Sequence, residues 1–139
     1  MKKFTVYAAL LALCMASVTQ AQTNQRTQFN QGLAMFNELV MQHELGEAID
    51  LIQIDKAYGE KDIEALNDVL RKTVPDDFVG SSTVQTAALK NGFRQELLAY
   101  WTEAGDYFYV YILMHRREDG FAVLNLQYGK DVQELLGLF

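Results

Sequence analysis

The chain has 139 residues, half of them hydrophobic, with 18 Asp+Glu against 12 Lys+Arg and a single cysteine. That length holds one domain and not two. The acidic balance repels phosphate backbones and anionic lipid, and basic clusters no longer than Arg71-Lys72 or Arg116-Arg117 exclude a nucleic-acid footprint.

Residues 1–21 read as a cleavable signal peptide. Lys2 and Lys3 form a positive start, Phe4 to Met15 an apolar run broken only by Thr5, and Thr19-Gln20-Ala21 a small-residue cleavage site. The run is shorter than the ~20 apolar residues of a spanning helix, so no stable membrane span is expected. Cys14 sits late in that run behind Leu13, where lipoprotein processing wants a small residue, and is read as part of the discarded leader. Cleavage after Ala21 takes 21 of the 139 residues and leaves 118, with 10 basic against 18 acidic side chains, a net charge of −8. Such a chain is large enough for a core without disulfides, and with no cysteine left it must do without them. A periplasmic or secreted location follows as the expectation, with a bacterial periplasm fitting best.

Residues 22–28 are polar, without pattern, and are expected to be flexible; a single domain is expected over 29–139. Phe29, Leu33, Phe36 and Val40 form one stripe of an amphipathic helix that Gly46 is expected to end or kink. Ala48, Leu51 and Ile52 mark a second short helix, broken at Tyr58-Gly59. Ile63, Leu66, Val69, Leu70 and Val74 mark a third. Its first turns are acidic (Glu60, Asp62, Glu64), its last turn is basic (Arg71, Lys72), and Pro75 stops it. Asp76 to Ser82 reads as a loop, Thr83 to Leu89 is ambiguous, and Asn91-Gly92 is a turn.

From Phe93 the period changes to two. Strands are expected from Phe93, over Tyr107–Arg116, over Phe121–Tyr128 and over Val132–Phe139, with Asp119-Gly120 as a hairpin tip. Helices first and strands after predict an α+β fold with the helices on one face of a four-stranded antiparallel meander. Phe108, Val110, Ile112 and Met114 are assigned to the core beneath the helices. Tyr107, Tyr109 and Tyr111, continued by Leu113 and His115, then face outward, and Tyr100 on the preceding strand is expected to extend the patch.

The helix ending near Leu45-Gly46-Glu47-Ala48, the Ile63–Val74 helix and the aromatic meander closing on Leu135-Leu136-Gly137-Leu138-Phe139 resemble the nuclear transport factor 2-like superfamily. In particular they are similar to its small exported bacterial domains of unknown function. The resemblance covers roughly Phe29 to Phe139 and implies a curved sheet wrapped on helices into a cone with a mouth. The superfamily holds isomerases and dehydratases as well as non-enzymatic binding and dimerisation modules. The acid, base and tyrosine that the isomerases place inside the cone match no positions here. A cystatin-like helix-on-meander domain shares the architecture and is the alternative.

No catalytic, metal or cofactor constellation emerges. His43 and His115 are the only histidines, short of the three or four ligands of a zinc site. His43-Glu44-Leu45-Gly46-Glu47 resembles the helical zinc motif, with Glu47 where the second histidine belongs. Ser81-Ser82 lack a glycine elbow, and no glycine loop suits a phosphate. Two readings remain. In the first, Tyr100, Tyr107, Tyr109, Tyr111 and His115 form an interface, because tyrosine joins a large apolar body to a polar tip; the partner is a second copy or an envelope protein. In the second, the cone holds a pocket for a small apolar ligand, lined by Gln95 and Trp101. The first is preferred, because Phe108, Val110, Ile112 and Met114 leave no acid or base on the central strand. Ordinary cross-strand packing of half-exposed tyrosines is the plain alternative to an interface.

Overall fold

The structure, a computed structural model, describes residues 29–53, 55–118 and 120–139. The signal peptide, its cleavage site and the polar stretch 22–28 lie outside the described residues.

Helix α1 (residues 29–41) buries Phe36 and Val40, two members of the predicted stripe. It ends five residues before Gly46. The amide of Glu44 donates to the Leu39 carbonyl at 2.9 Å and that of His43 to Val40 at 2.9 Å, while His43 takes φ 61°. This is the left-handed termination that usually falls to glycine, and here histidine adopts it. The ring is held in place on both counts: Nε2 lies 2.9 Å from the Val74 carbonyl oxygen, and the imidazole stacks on Phe78 at 4.8 Å. Gly46 instead lies inside helix α2 (Leu45–Ile52). Its absent side chain lets α2 lie against the backbone of Ile63, and its amide donates to Asn67 Oδ1 at 2.8 Å.

Helix α3 (Glu60–Thr73) has the charge arrangement that the sequence predicts, with Glu60 and Asp62 in the first turn and Arg71 and Lys72 in the last. Val74 caps it and Pro75 follows.

The sheet is a four-stranded antiparallel meander in the order β1-β2-β3-β4, so the fold is α+β. The strands are β1 (Phe78–Ala88), β2 (Phe93–Thr102), β3 (Tyr107–Arg117) and β4 (Gly120–Gly129). Two boundaries differ from the sequence reading. The stretch 76–82, read as a loop, mostly enters β1: Gly80-Ser81-Ser82 resembles a turn, yet these residues pair with Trp101, Tyr100 and Ala99. The stretch 132–139, read as the last strand, forms helix α4 (Val132–Leu136). The Asp131 carboxylate decides it by accepting from the amides of Gln133 and Glu134 at 2.9 and 3.3 Å, a side-chain cap on a new helix. Asn91 and Gly92 take φ 58° and 82° as a turn; of the expected Asp119-Gly120 tip, Gly120 pairs with Arg117 and opens β4 at φ 137°, and Asp119 lies outside the described residues.

One sheet face carries the main core. Leu98, Tyr100, Phe108, Val110, Ile112 and Met114 are buried on it, together with Phe36, Val40, Leu45, Ile49, Leu70 and Val74 of the helical half. The other face carries a smaller cluster in which Leu97 and Tyr111 meet Leu135 of α4.

Candidate functional site

The β2–β3 register decides which side chains share a face. Phe93 stands opposite His115, Gln95 opposite Leu113, Leu97 opposite Tyr111, Ala99 opposite Tyr109 and Trp101 opposite Tyr107. All ten therefore lie on the face away from α1–α3, here called the outer face. Tyr100 stands opposite Phe108 and belongs to the inner face. It is fully buried, and its hydroxyl donates to Asn37 Oδ1 at 2.6 Å. Burial pushes its phenol well above the ordinary tyrosine range. Its expected place in the outer patch is thus corrected. The signal that misleads is the polar pair Arg94 and Glu96 on the same side of β2. Glu96 is nevertheless 1% exposed, its carboxylate paired with Arg94 and accepting from Thr86 Oγ1 at 2.6 Å.

The C-terminus divides the outer face in two. Around Tyr111 it is sealed: Leu135, Leu136, Leu138 and Phe139 pack there, with the Phe139 ring edge-on to Tyr111 at 5.5 Å. Gln95 clips the seal shut, its Nε2 donating to the Tyr111 hydroxyl and to the Leu138 carbonyl, each at 2.8 Å. Tyr111 is consequently 2% exposed, and Gln95 is committed to holding the chain end. His115 sits at the far end of β3, stacked on Phe93 at 4.2 Å with Nε2 3.2 Å from the Asn91 carbonyl oxygen.

The other half of the face is open and aromatic. Tyr107 is 46% exposed and stacks nearly parallel on Tyr109, with ring centroids 6.0 Å apart and planes at 10°. Trp101 lies beside Tyr107 at 6.4 Å. The neighbours on the flanking strands are small. Tyr109 has Ala99 on one side and Gly129 on the other, and the Trp101 indole lies over Gly80, where any side chain would collide with it. Of the three rings Tyr107 is exposed, while Trp101 and Tyr109 are half-buried and Tyr109 also packs against the Leu97–Tyr111–Leu135 cluster. At the margin Lys130 Nζ lies 2.9 Å from Asp106 Oδ1. The structure thus brings Tyr107 and Tyr109 together and adds Trp101, whose membership was missed because the pairing register across the hairpin cannot be read from β2 alone. The Trp-to-Tyr spacing across Ala104-Gly105-Asp106 is the signal that points to it, since Gly105 takes φ 87° in that turn.

A pocket of about 200 Å³ lies between α2, α3 and β4, lined by Ile49, Gln53, Tyr58, Leu66, Val123, Leu126 and Tyr128 among others. It is below the usual range of ligand sites, roughly 300–1,000 Å³. Neither Gln95 nor Trp101 lines it. Among the described residues no group of three or more His, Cys, Asp and Glu could hold a metal ion, and no helix is long and apolar enough to cross a membrane. Compared with protein-family models, curated proteins and solved structures, the chain matches none.

Proposed function

We propose that this is a non-enzymatic exported domain that binds a protein partner, a second copy or a cell-envelope protein, through the outer face of its sheet. The observation that carries the reading is the exposed Tyr107 ring, stacked on the half-buried Tyr109 with the half-buried Trp101 beside it. Large rings with polar tips, held rigid by stacking and flanked by small residues, supply contact area at little entropic cost. A merely solvated sheet face would more readily carry Lys, Glu or Thr. The helices-first, meander-after order keeps the resemblance to the nuclear transport factor 2-like superfamily, whose non-enzymatic members bind or dimerise, as support. Export rests on the Lys2-Lys3, apolar, Thr19-Gln20-Ala21 order.

Tyr107→Glu with Tyr109→Glu places charge at the centre of the patch. Sedimentation equilibrium and capture from envelope extracts, with circular dichroism to check folding, compare it with wild type. A folded variant that loses self-association or loses the captured partner supports the reading. A folded variant that keeps both contradicts it.

A further inference from the structure

We infer that a second copy of this chain joins at the outer edge of β1, pairing antiparallel with its own counterpart about a two-fold axis near Thr83. Edge strands are normally blunted by charge, proline, bulges or cover, because their unpaired amides and carbonyls invite another strand. β1 runs eleven residues, Phe78–Ala88, without one charged residue or proline. Among the described residues no strand pairs with its outer edge, and from Ser81 to Thr86 every side chain is exposed. Of these devices it carries only bulge-like register shifts, at Val79 and Val84, and those two side chains stand 58% and 49% exposed. The opposite edge, β4, is also uncharged, but most of it is half-buried and it lines the pocket with α2 and α3.

Charge selects a second copy as the occupant. The chain as a whole is −6, so most of its surface repels its own kind. The edge of β1 is neutral, and its two ends carry opposite signs: Asp76 and Asp77 precede the strand and Lys90 follows it. Antiparallel self-pairing about Thr83, the midpoint of the strand, sets Asp76 of one copy opposite Lys90 of the other, twice by symmetry. A two-fold axis makes one surface complementary to itself. In a pair of antiparallel strands that axis stands perpendicular to the sheet. The joined sheet would therefore carry both Trp101–Tyr107–Tyr109 patches on the same side, so that a partner meets two of them at once.

This inference stands apart from the aromatic-face reading, and its test separates them. Cys14 is the only cysteine, so Cys14→Ser in the full chain leaves a clean background for single cysteines. Directly opposed residues in an antiparallel pair lie about 4.5–5.5 Å apart at Cα, inside the range a disulfide spans. Thr83→Cys is expected to give, under mild oxidation, a linked species of twice the single-chain mass. Ser81→Cys alone should link several-fold less, and Ser81→Cys with Thr86→Cys should link again, because the register shift at Val84 sets Ser81 level with Thr86. Asp76→Lys should lower the Thr83→Cys yield several-fold, and adding Lys90→Asp should restore it. Tyr107→Glu should leave the yield unchanged. The inference is overturned if Thr83→Cys links no more than Val69→Cys on exposed α3. Linkage of β1 to β4 into a ladder, or of Tyr107→Cys alone, overturns it equally.

Discussion

Tyr107 and Tyr111 lie four residues apart on the same face of β3, yet one is 46% and the other 2% exposed. The difference is made by the last residues of the chain, which fold over Tyr111 and stop short of Tyr107. One row of tyrosines thus becomes part core and part surface. Tyr111→Glu should lower the denaturant midpoint markedly, by about 2–5 kcal/mol, because it buries an unpaired carboxylate and loses the ring. Tyr107→Glu should stay within about 0.5 kcal/mol. Equal losses for the two would mean that α4 does not cover the sheet.

The inner face is tested by Ile112→Ala. Ile112 is fully buried opposite Glu96 and Leu126. The expected cost is about 2–5 kcal/mol in a chemical denaturation, a large-to-small core change. A cost below about 0.5 kcal/mol would reverse the two faces.

Tyr100 gives a pH-dependent test. Its phenol is pushed upward by burial and bonded to Asn37. At neutral pH, Tyr100→Phe should cost roughly 1–2 kcal/mol, leaving Asn37 Oδ1 without its donor. Above about pH 10 the unfolded chain ionises this tyrosine while the folded chain does not. The unfolded state then binds fewer protons, so stability falls as pH rises. The contribution is complete below pH 10, and the wild-type advantage over Tyr100→Phe should shrink by about 1.4 kcal/mol per pH unit above it. An advantage that is the same at pH 8 and at about pH 11 contradicts a buried Tyr100.

Two glycines test the backbone. Gly120→Val should cost about 1–3 kcal/mol, because φ 137° is a conformation that a β-branched residue resists. Gly46→Ala should cost at least about 1–3 kcal/mol, since its methyl meets the Ile63 backbone and must push α2 from α3. Unchanged midpoints would count against the hairpin and the helix crossing respectively.

Much of this fold is legible in the sequence, because its strongest signals are local. The macrodipole charges and Pro75 delimit α3, Asn91-Gly92 marks a turn, and the alternation of Phe108, Val110, Ile112 and Met114 marks a core face. What escapes is set by distant partners. β1 has both faces exposed over most of its length and so shows no apolar alternation; only pairing with β2 makes it a strand. α4 is short and apolar like a strand, and the Asp131 cap makes it a helix. The face of Tyr100 depends on a register that a one-residue slip would invert. Of the candidate interface, Tyr107 and Tyr109 lie together as expected. Tyr111 is covered, Tyr100 is on the other side, and His115 is at the far end of the strand. Trp101 joins the patch because Gly80, from a strand that the sequence does not announce, makes room for its ring.

Binding of protein by the open aromatic half of the sheet is tested best by site-specific photo-crosslinking in the producing cell. A photoreactive phenylalanine analogue at Tyr107 or Tyr109 alters ring chemistry little. The same analogue at Val69, 42% exposed on α3, is the control. A discrete adduct of defined mass is expected from positions 107 and 109 and none from position 69. Positions 107 and 109 giving no adduct beyond that of position 69 would contradict it.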